Sequence, residues 1–195
     1  PNFKPREEEG YIRLTTHNAM AQQINNAELE KLPGQTYMFK AVVEGKFPEL
    51  SFPTDEVLEL KKDAQVMFVK NDSSPEKRYY NGMIGRVTAI NERGFVVQPK
   101  GTNEAIEVAP EEWENNRYEL DEQTKEIKEV REGLFRQYPI KTAWAITIHK
   151  SQGLTFSHAI IDASLSFAHG QTYVALSRCK TLDGLVLSAP IPAHA

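Results

Sequence analysis

Two stretches near the end of the chain gather side chains that can bind phosphate or stabilise developing charge. The first is Ala143-Trp144-Ala145-Ile146-Thr147-Ile148-His149-Lys150-Ser151-Gln152-Gly153-Leu154-Thr155-Phe156, where polar residues follow directly on an apolar run. Hydroxyl, imidazole, ammonium and amide groups stand together beside a glycine that lets backbone approach closely. Such a set suits a phosphodiester backbone. A polar helix terminus would have the same composition. The second stretch is Gly170-Gln171-Thr172-Tyr173-Val174-Ala175-Leu176-Ser177-Arg178-Cys179, in which Arg178 is a single cation in an apolar, sparsely charged segment. A planar guanidinium suits a terminal phosphate or a bidentate carboxylate. An internal salt bridge is the competing assignment.

Other chemistries find less support. His149, Ser151 and Asp162 are residue types of a hydrolytic triad, but Lys150-Ser151-Gln152-Gly153 lacks the leading glycine of a nucleophile elbow. His149 and His158 have no evident carboxylate companion, and Cys179 is the only cysteine, so neither a zinc cluster nor an internal disulfide is expected. The only Gly-Lys pair, Gly45-Lys46, is followed by Phe47 where a phosphate loop needs Ser or Thr. Asp55-Glu56 resembles an acidic magnesium-binding pair, yet no apolar strand precedes it. The chain is therefore not expected to hydrolyse a nucleoside triphosphate alone.

The elements that position these residues fall into thirds. The chain has 195 residues and a net charge of −4, carried as −2 over residues 1–62, −4 over 63–138 and +2 over 139–195. A basic coat is excluded, so any nucleic-acid site must be a local groove. No apolar run approaches the roughly 20 residues of a membrane span. The single cysteine points to an intracellular, cytoplasmic protein. The opening Pro1-Asn2-Phe3-Lys4-Pro5 suggests a piece of a longer chain.

In the first third, residues 11–15 read as a strand. Asn18 is the expected N-cap of a helix running through Met20, Ile24, Ala27 and Leu32 and stopped by Pro33-Gly34. Residues 36–43 alternate as one strand. The middle third reads as a small barrel or sandwich, with strands over 65–70, 84–90, 95–98 and 105–108. A charged hairpin pairs 118–120 with 125–131 across 121–124. In the last third, residues 142–152 fit a buried helix closed by Gly153, although their β-branched members also allow a strand. A strand over 159–162, a helix over 170–179 and a strand over 185–187 follow.

The two polar segments resemble motifs V and VI of superfamily 1B DNA helicases, especially the PIF-type and RecD-like enzymes. The family pattern is T-x-H-K-x-Q-G followed by Y-V-A-L-(S/T)-R. It is met by Thr147-Ile148-His149-Lys150-Ser151-Gln152-Gly153 and by Tyr173-Val174-Ala175-Leu176-Ser177-Arg178. Residues 14–25 resemble the motif IV region, and residues 60–67 and 81–87 resemble the entry into the family's inserted barrel. The resemblance implies an α/β fold: a RecA-like, P-loop-NTPase-type domain (2A, without its own P-loop) over 1–62 and 139–195. An SH3-like small β-barrel (2B) would be inserted over 63–138.

It also implies roles. Arg178 would be the arginine finger, acting on ATP and Mg2+ held mainly by an N-terminal RecA-like domain of the same parent chain. Gln152 and Gly153 would join Arg178 in nucleotide binding. Thr16, Asn18, Thr147, His149, Lys150 and Ser151 would bind single-stranded DNA, with DNA forks as substrates and 5′-to-3′ unwinding as the activity. This chain alone would be inactive and bind no cofactor. Two other readings stand beside this one. A single-stranded nucleic-acid-binding module would stack bases on Trp113, Tyr79, Tyr80 and Phe95. A protein-interaction domain would use the acidic hairpin.

Overall fold

The computed structural model describes residues 9–120, 127–161 and 170–189. Four short apolar strands form a parallel sheet: β1 (Ile12–Thr15), β12 (Ala145–Thr147), β13 (Ala159–Ile161) and β14 (Leu185–Leu187), in the spatial order β12-β1-β13-β14. Ile12, Leu14, Ala159 and Ile161 are fully buried. Strands covered on both faces need such continuous apolar runs. Asp162, the expected last residue of the third strand, lies outside the described residues.

Helix α1 (Asn18–Lys31) packs on this sheet. Its buried line is Ala21, Asn25 and Leu29, spaced four apart on one face. The expected line through Met20, Ile24 and Ala27 is therefore rotated, and Ala27 is exposed. Asn18 is not the N-cap but the first helical residue. His17 takes the cap with extended backbone (φ −124°), and its carbonyl accepts from the Ala21 N–H at 3.2 Å.

Residues 36–43 do not form one strand. β2 (Tyr37–Lys40) pairs with β4 (Val57–Leu60), while β3 (Val42–Gly45) pairs with β10 (Ile127–Gln137). Between them Ala41 is buried and donates its N–H to the Glu56 carbonyl at 2.7 Å. The alternation of apolar residues continues through a change of partner.

The middle of the chain builds an antiparallel sheet from β5 (Gln65–Phe68), β6 (Ile84–Asn91), β7 (Gly94–Pro99) and β8 (Ile106–Glu107). Its order is β11-β5-β6-β7-β8, with β11 (Ile140–Thr142) drawn from beyond residue 139. The charged hairpin is longer than expected: β9 (Glu111–Leu120) pairs with β10 along its whole length, and residues 121–126 lie outside the described residues. A bulge falls between Arg131 and Gly133. A Cβ on Gly133 would collide with the Lys46 carbonyl, so that strand crossing requires glycine.

Strand β5 is buried on both faces and joins two cores. Val66 and Phe68 face one core with Phe39, Leu58, Val87 and Ile140. Met67 faces the other with Ile12, Leu14 and Ile146. Gln65 Nε2 donates to the carbonyls of Tyr11 at 3.0 Å and Ala143 at 2.8 Å, stitching the sheets together.

No helix forms over 142–152. The stretch is split into β11 and β12, followed by turns. Its β-branched residues favour extended backbone, and β12 closes the sheet beside β1. The last helix, α2 (Gln171–Leu176), is shorter than 170–179, because the chain turns after it and Cys179 pairs with Phe156 in an isolated parallel bridge.

The outer edge of β12 is closed by a side chain. Asn25 Nδ2 donates to the Ala145 carbonyl at 2.9 Å, and Asn25 Oδ1 accepts from the Ala145 N–H at 2.7 Å. Removing this buried amide leaves two backbone groups unpaired, at a cost of about 2–4 kcal/mol. Asn25→Ala is expected to lower the urea midpoint accordingly, whereas exposed Gln23→Ala is expected to leave it unchanged. Equal midpoints for both variants would contradict the assignment.

Candidate nucleic-acid interface

Both motif segments grow from the parallel sheet. Thr147 ends β12 opposite Thr15, which ends β1, and both side chains are buried. The chain then reverses in tight turns. The Ser151 N–H donates to the Thr147 carbonyl at 3.0 Å, the Gln152 N–H to the His149 carbonyl at 3.2 Å and the Leu154 N–H to the Ser151 carbonyl at 3.0 Å. Gly153 closes the reversal with φ +78°. No atom lies within 4 Å of its would-be Cβ, so glycine is needed there for backbone conformation rather than space.

These turns sort the expected DNA-binding residues. His149 and Lys150 are exposed, as is Gln152. Ser151 is fully buried and donates its Oγ–H to the Ile148 carbonyl at 2.7 Å. The hydroxyl expected to contact DNA is thus enclosed in the free chain and shapes the turn that presents its neighbours. Thr147 Oγ1 accepts from the Lys150 N–H at 3.3 Å. Thr16 is half-buried, with Oγ1 2.7 Å from His17 Nδ1.

A groove runs between α1 and β12 and reaches the carboxyl end of β12 at Thr147. Asn18 and Gln22 of α1 line one side, Thr147 and Lys150 the other, and Lys141 and Asp55 lie between. Ligands of parallel α/β sheets bind at this end of the strands. Lys141 was not among the expected residues. Its sequence signal was its place among only four basic residues in 139–195, next to Ile140, which points into the core.

The groove is electrostatically tense. Burial holds the Lys141 ammonium below its ordinary pKa, and the like charge of Lys150 lowers it further, against a smaller opposing pull from Asp55. Asp55 reaches the surface, yet the surrounding protein raises its carboxyl above the ordinary value despite the attraction of Lys141 and Lys150. An anion in this groove would relieve the repulsion between the two lysines.

Arg178 follows α2 and is half-buried. Its Nε donates to the Val174 carbonyl at 3.0 Å, Nη1 to the Leu154 carbonyl at 3.3 Å and Nη2 to Ser177 Oγ at 2.9 Å. Among the described residues no carboxylate pairs with it, and neutral acceptors hold the guanidinium. The backbone joins the two segments as well: the Phe156 N–H donates to the Arg178 carbonyl at 2.7 Å, and the Lys180 N–H to the Phe156 carbonyl at 2.9 Å. Among the described residues no group of three or more His, Cys, Asp or Glu side chains could hold a metal ion.

Of the four aromatics considered as base platforms, Tyr79 and Phe95 are core residues, Tyr79 being stacked on Phe68 with centroids 4.3 Å apart. Trp113 is half-buried with Lys70 Nζ 4.9 Å above its ring, and Tyr80 is exposed.

No family model matches the sequence. The ATP-dependent DNA helicase Pif1 of Psychrobacter sp. (strain PRwf-1) is 34% identical over 221 residues, covering 90% of this chain and 33% of that protein. Unliganded Pif1 from Bacteroides sp matches with a TM-score of 0.88 at 41% identity, covering 97% of this chain and 43% of that one. Pif1 helicase from Bacteroides in complex with ADP-AlF3 and ssDNA matches with a TM-score of 0.74 at 41% identity, covering 98% and 43%. The parallel sheet, the paired motif segments and these similarities make the chain a homologue of the PIF-type superfamily 1B DNA helicases. Within that class the chain is homologous to the C-terminal part of the Pif1 helicases, and it spans about a third of the length of the Psychrobacter relative.

Because the Asp55 carboxyl is raised, the folded chain binds its proton more tightly than the unfolded chain does. Its contribution to stability is present at acid pH and is lost as pH rises through the raised value. Asp55→Asn is expected to show an equal or higher urea midpoint at pH 7. A lower midpoint would mean that attraction to the lysines outweighs the cost of burial.

Proposed function

We propose that this chain is the C-terminal motor half of an ATP-dependent 5′-to-3′ DNA helicase. Its RecA-like 2A domain comprises residues 1–62 and 139–195, and an SH3-like 2B barrel is inserted over 63–138. Single-stranded DNA lies along the groove between α1 and β12. His149 and Lys150, with Asn18, Thr16 and Thr147, hold its phosphates, and Lys141 adds a third cation. Ser151 acts from inside the turn. ATP and Mg2+ are held by the N-terminal RecA-like domain, in keeping with the missing phosphate loop here. Arg178 stabilises charge developing on the γ-phosphate, and Gln152 and Gly153 connect the nucleotide to the DNA groove. The substrates are DNA forks, the setting is intracellular, and DNA repair and recombination are the processes served. Among the described residues no helix is long and apolar enough to cross a membrane.

The observation that carries this reading is the contact of Arg178 with the Leu154 carbonyl, directly after the His149–Gly153 turn. It joins a cation that no carboxylate pairs among the described residues to the turn bearing the outward-facing DNA-binding candidates. A change at the nucleotide is thereby felt at the DNA.

In the helicase polypeptide that joins this chain to its ATP-binding domain, Arg178→Ala should cut ATP turnover about a thousandfold or more while single-strand binding persists. Unchanged turnover would overturn the finger assignment. Lys150→Ala should weaken single-strand affinity and flatten its salt dependence by about 0.7 in log–log slope. An unaltered slope would reduce Lys150 to a structural residue.

A further inference from the structure

A second cleft lies at the opposite end of the parallel sheet, where β1 and β13 begin. Lys100, next after β7, reaches it from the five-stranded sheet. His158, directly before β13, and Lys180, from the turn after α2, reach it from the other side. Thr155 and the Gly82 turn complete the wall. Lys100 Nζ lies 2.9 Å from His158 Nδ1. An ammonium can only donate, so this geometry requires a neutral imidazole whose Nδ1 accepts. The edge of the Tyr11 ring packs on His158, with centroids 4.9 Å apart.

Here basic side chains from three elements meet at one cleft. Burial lowers the Lys100 ammonium, and burial followed by the Lys100 charge lowers His158. Among the described residues Glu9 is the carboxylate whose field reaches both, and it offsets the effect only in part. A cleft that disfavours its own cations is stabilised by a bound anion, which lets the ammonium stay charged and the imidazole take up a proton. The location supplies a source. Lys180 follows Arg178 by two residues, and Thr155 follows the Leu154 carbonyl that Arg178 contacts.

We propose that this cleft is a phosphate-binding site, formed by Lys100, Lys180 and His158, for a phosphate group of a nucleotide or of a nucleic-acid backbone. It is separate from the groove between α1 and β12, and it ties the five-stranded sheet to the parallel one through a shared ligand.

The test follows the His158 ring resonances of this chain by NMR at low salt, during titration with pyrophosphate, ATP or a thymidine oligonucleotide. Binding should move those resonances saturably and raise the imidazole pKa. Lys180→Ala, an exposed change that spares the fold, should weaken the response about tenfold, as expected for one charge-assisted contact. Lys150→Ala should leave it unchanged. A response to pyrophosphate and ATP alone assigns the site to nucleotides. A response to the oligonucleotide that persists in Lys150→Ala assigns it to nucleic acid. No movement of His158 with any of the three probes, or movement of undiminished affinity in Lys180→Ala, would overturn the proposal. Loss of oligonucleotide binding in Lys150→Ala with an intact His158 response to pyrophosphate separates this site from the DNA groove.

Discussion

Ala145 sits on the outer edge of the parallel sheet, and Asn25 supplies both hydrogen bonds that a further strand would have made. The functional turn depends on this substitution of a side chain for a strand. The inner edge of β12 is tied to β1, through Arg13 N–H to the Trp144 carbonyl and Ile148 N–H to the Thr15 carbonyl, both at 2.8 Å. With its outer edge tied to α1 as well, β12 is fixed in translation. Thr147 then has one position, and the turn through Ser151 and Gly153 presents His149 and Lys150 in one direction. The same helix begins with Asn18 on the opposite wall of the groove. One buried amide thus sets the spacing of both walls.

A second constraint connects this site to the rest of the molecule. Strand β5 gives Val66 and Phe68 to one core and Met67 to the other, while Gln65 bonds to backbone beside β1 and β12. Parts that alternate their side chains between two cores cannot slide independently, because a shift that suits one face misplaces the other. The five-stranded sheet is therefore held in register with the parallel sheet.

Much of the fold was legible in the sequence because its signals were local. The strands over 12–15, 65–68, 84–91 and 94–99 were marked by apolar runs and Asn/Gly turns, and the two motif segments by residue order. What stayed hidden depended on partners. Asn25 reads as a surface residue, since nothing nearby in sequence shows that a strand edge 120 residues away needs an amide. Residues 142–152 fit a helix by spacing, and only the open edge of β1 makes them strands. The alternation over 36–43 is continuous, yet the chain changes sheets at Ala41. Lys141 carries no motif, and its importance comes from folding beside Lys150 and Asp55. Ser151 sits in a motif that resembles a DNA-binding set, but the turn encloses it.

The most direct test of this account is to map where single-stranded DNA lies on the chain. A bromodeoxyuridine oligonucleotide can be photo-crosslinked to it and the adducts located by peptide mass spectrometry. Adducts in the peptides bearing Asn18, Lys141 and His149–Lys150 are the predicted result. Adducts confined to the β9–β10 ribbon, with none along that groove, would contradict it.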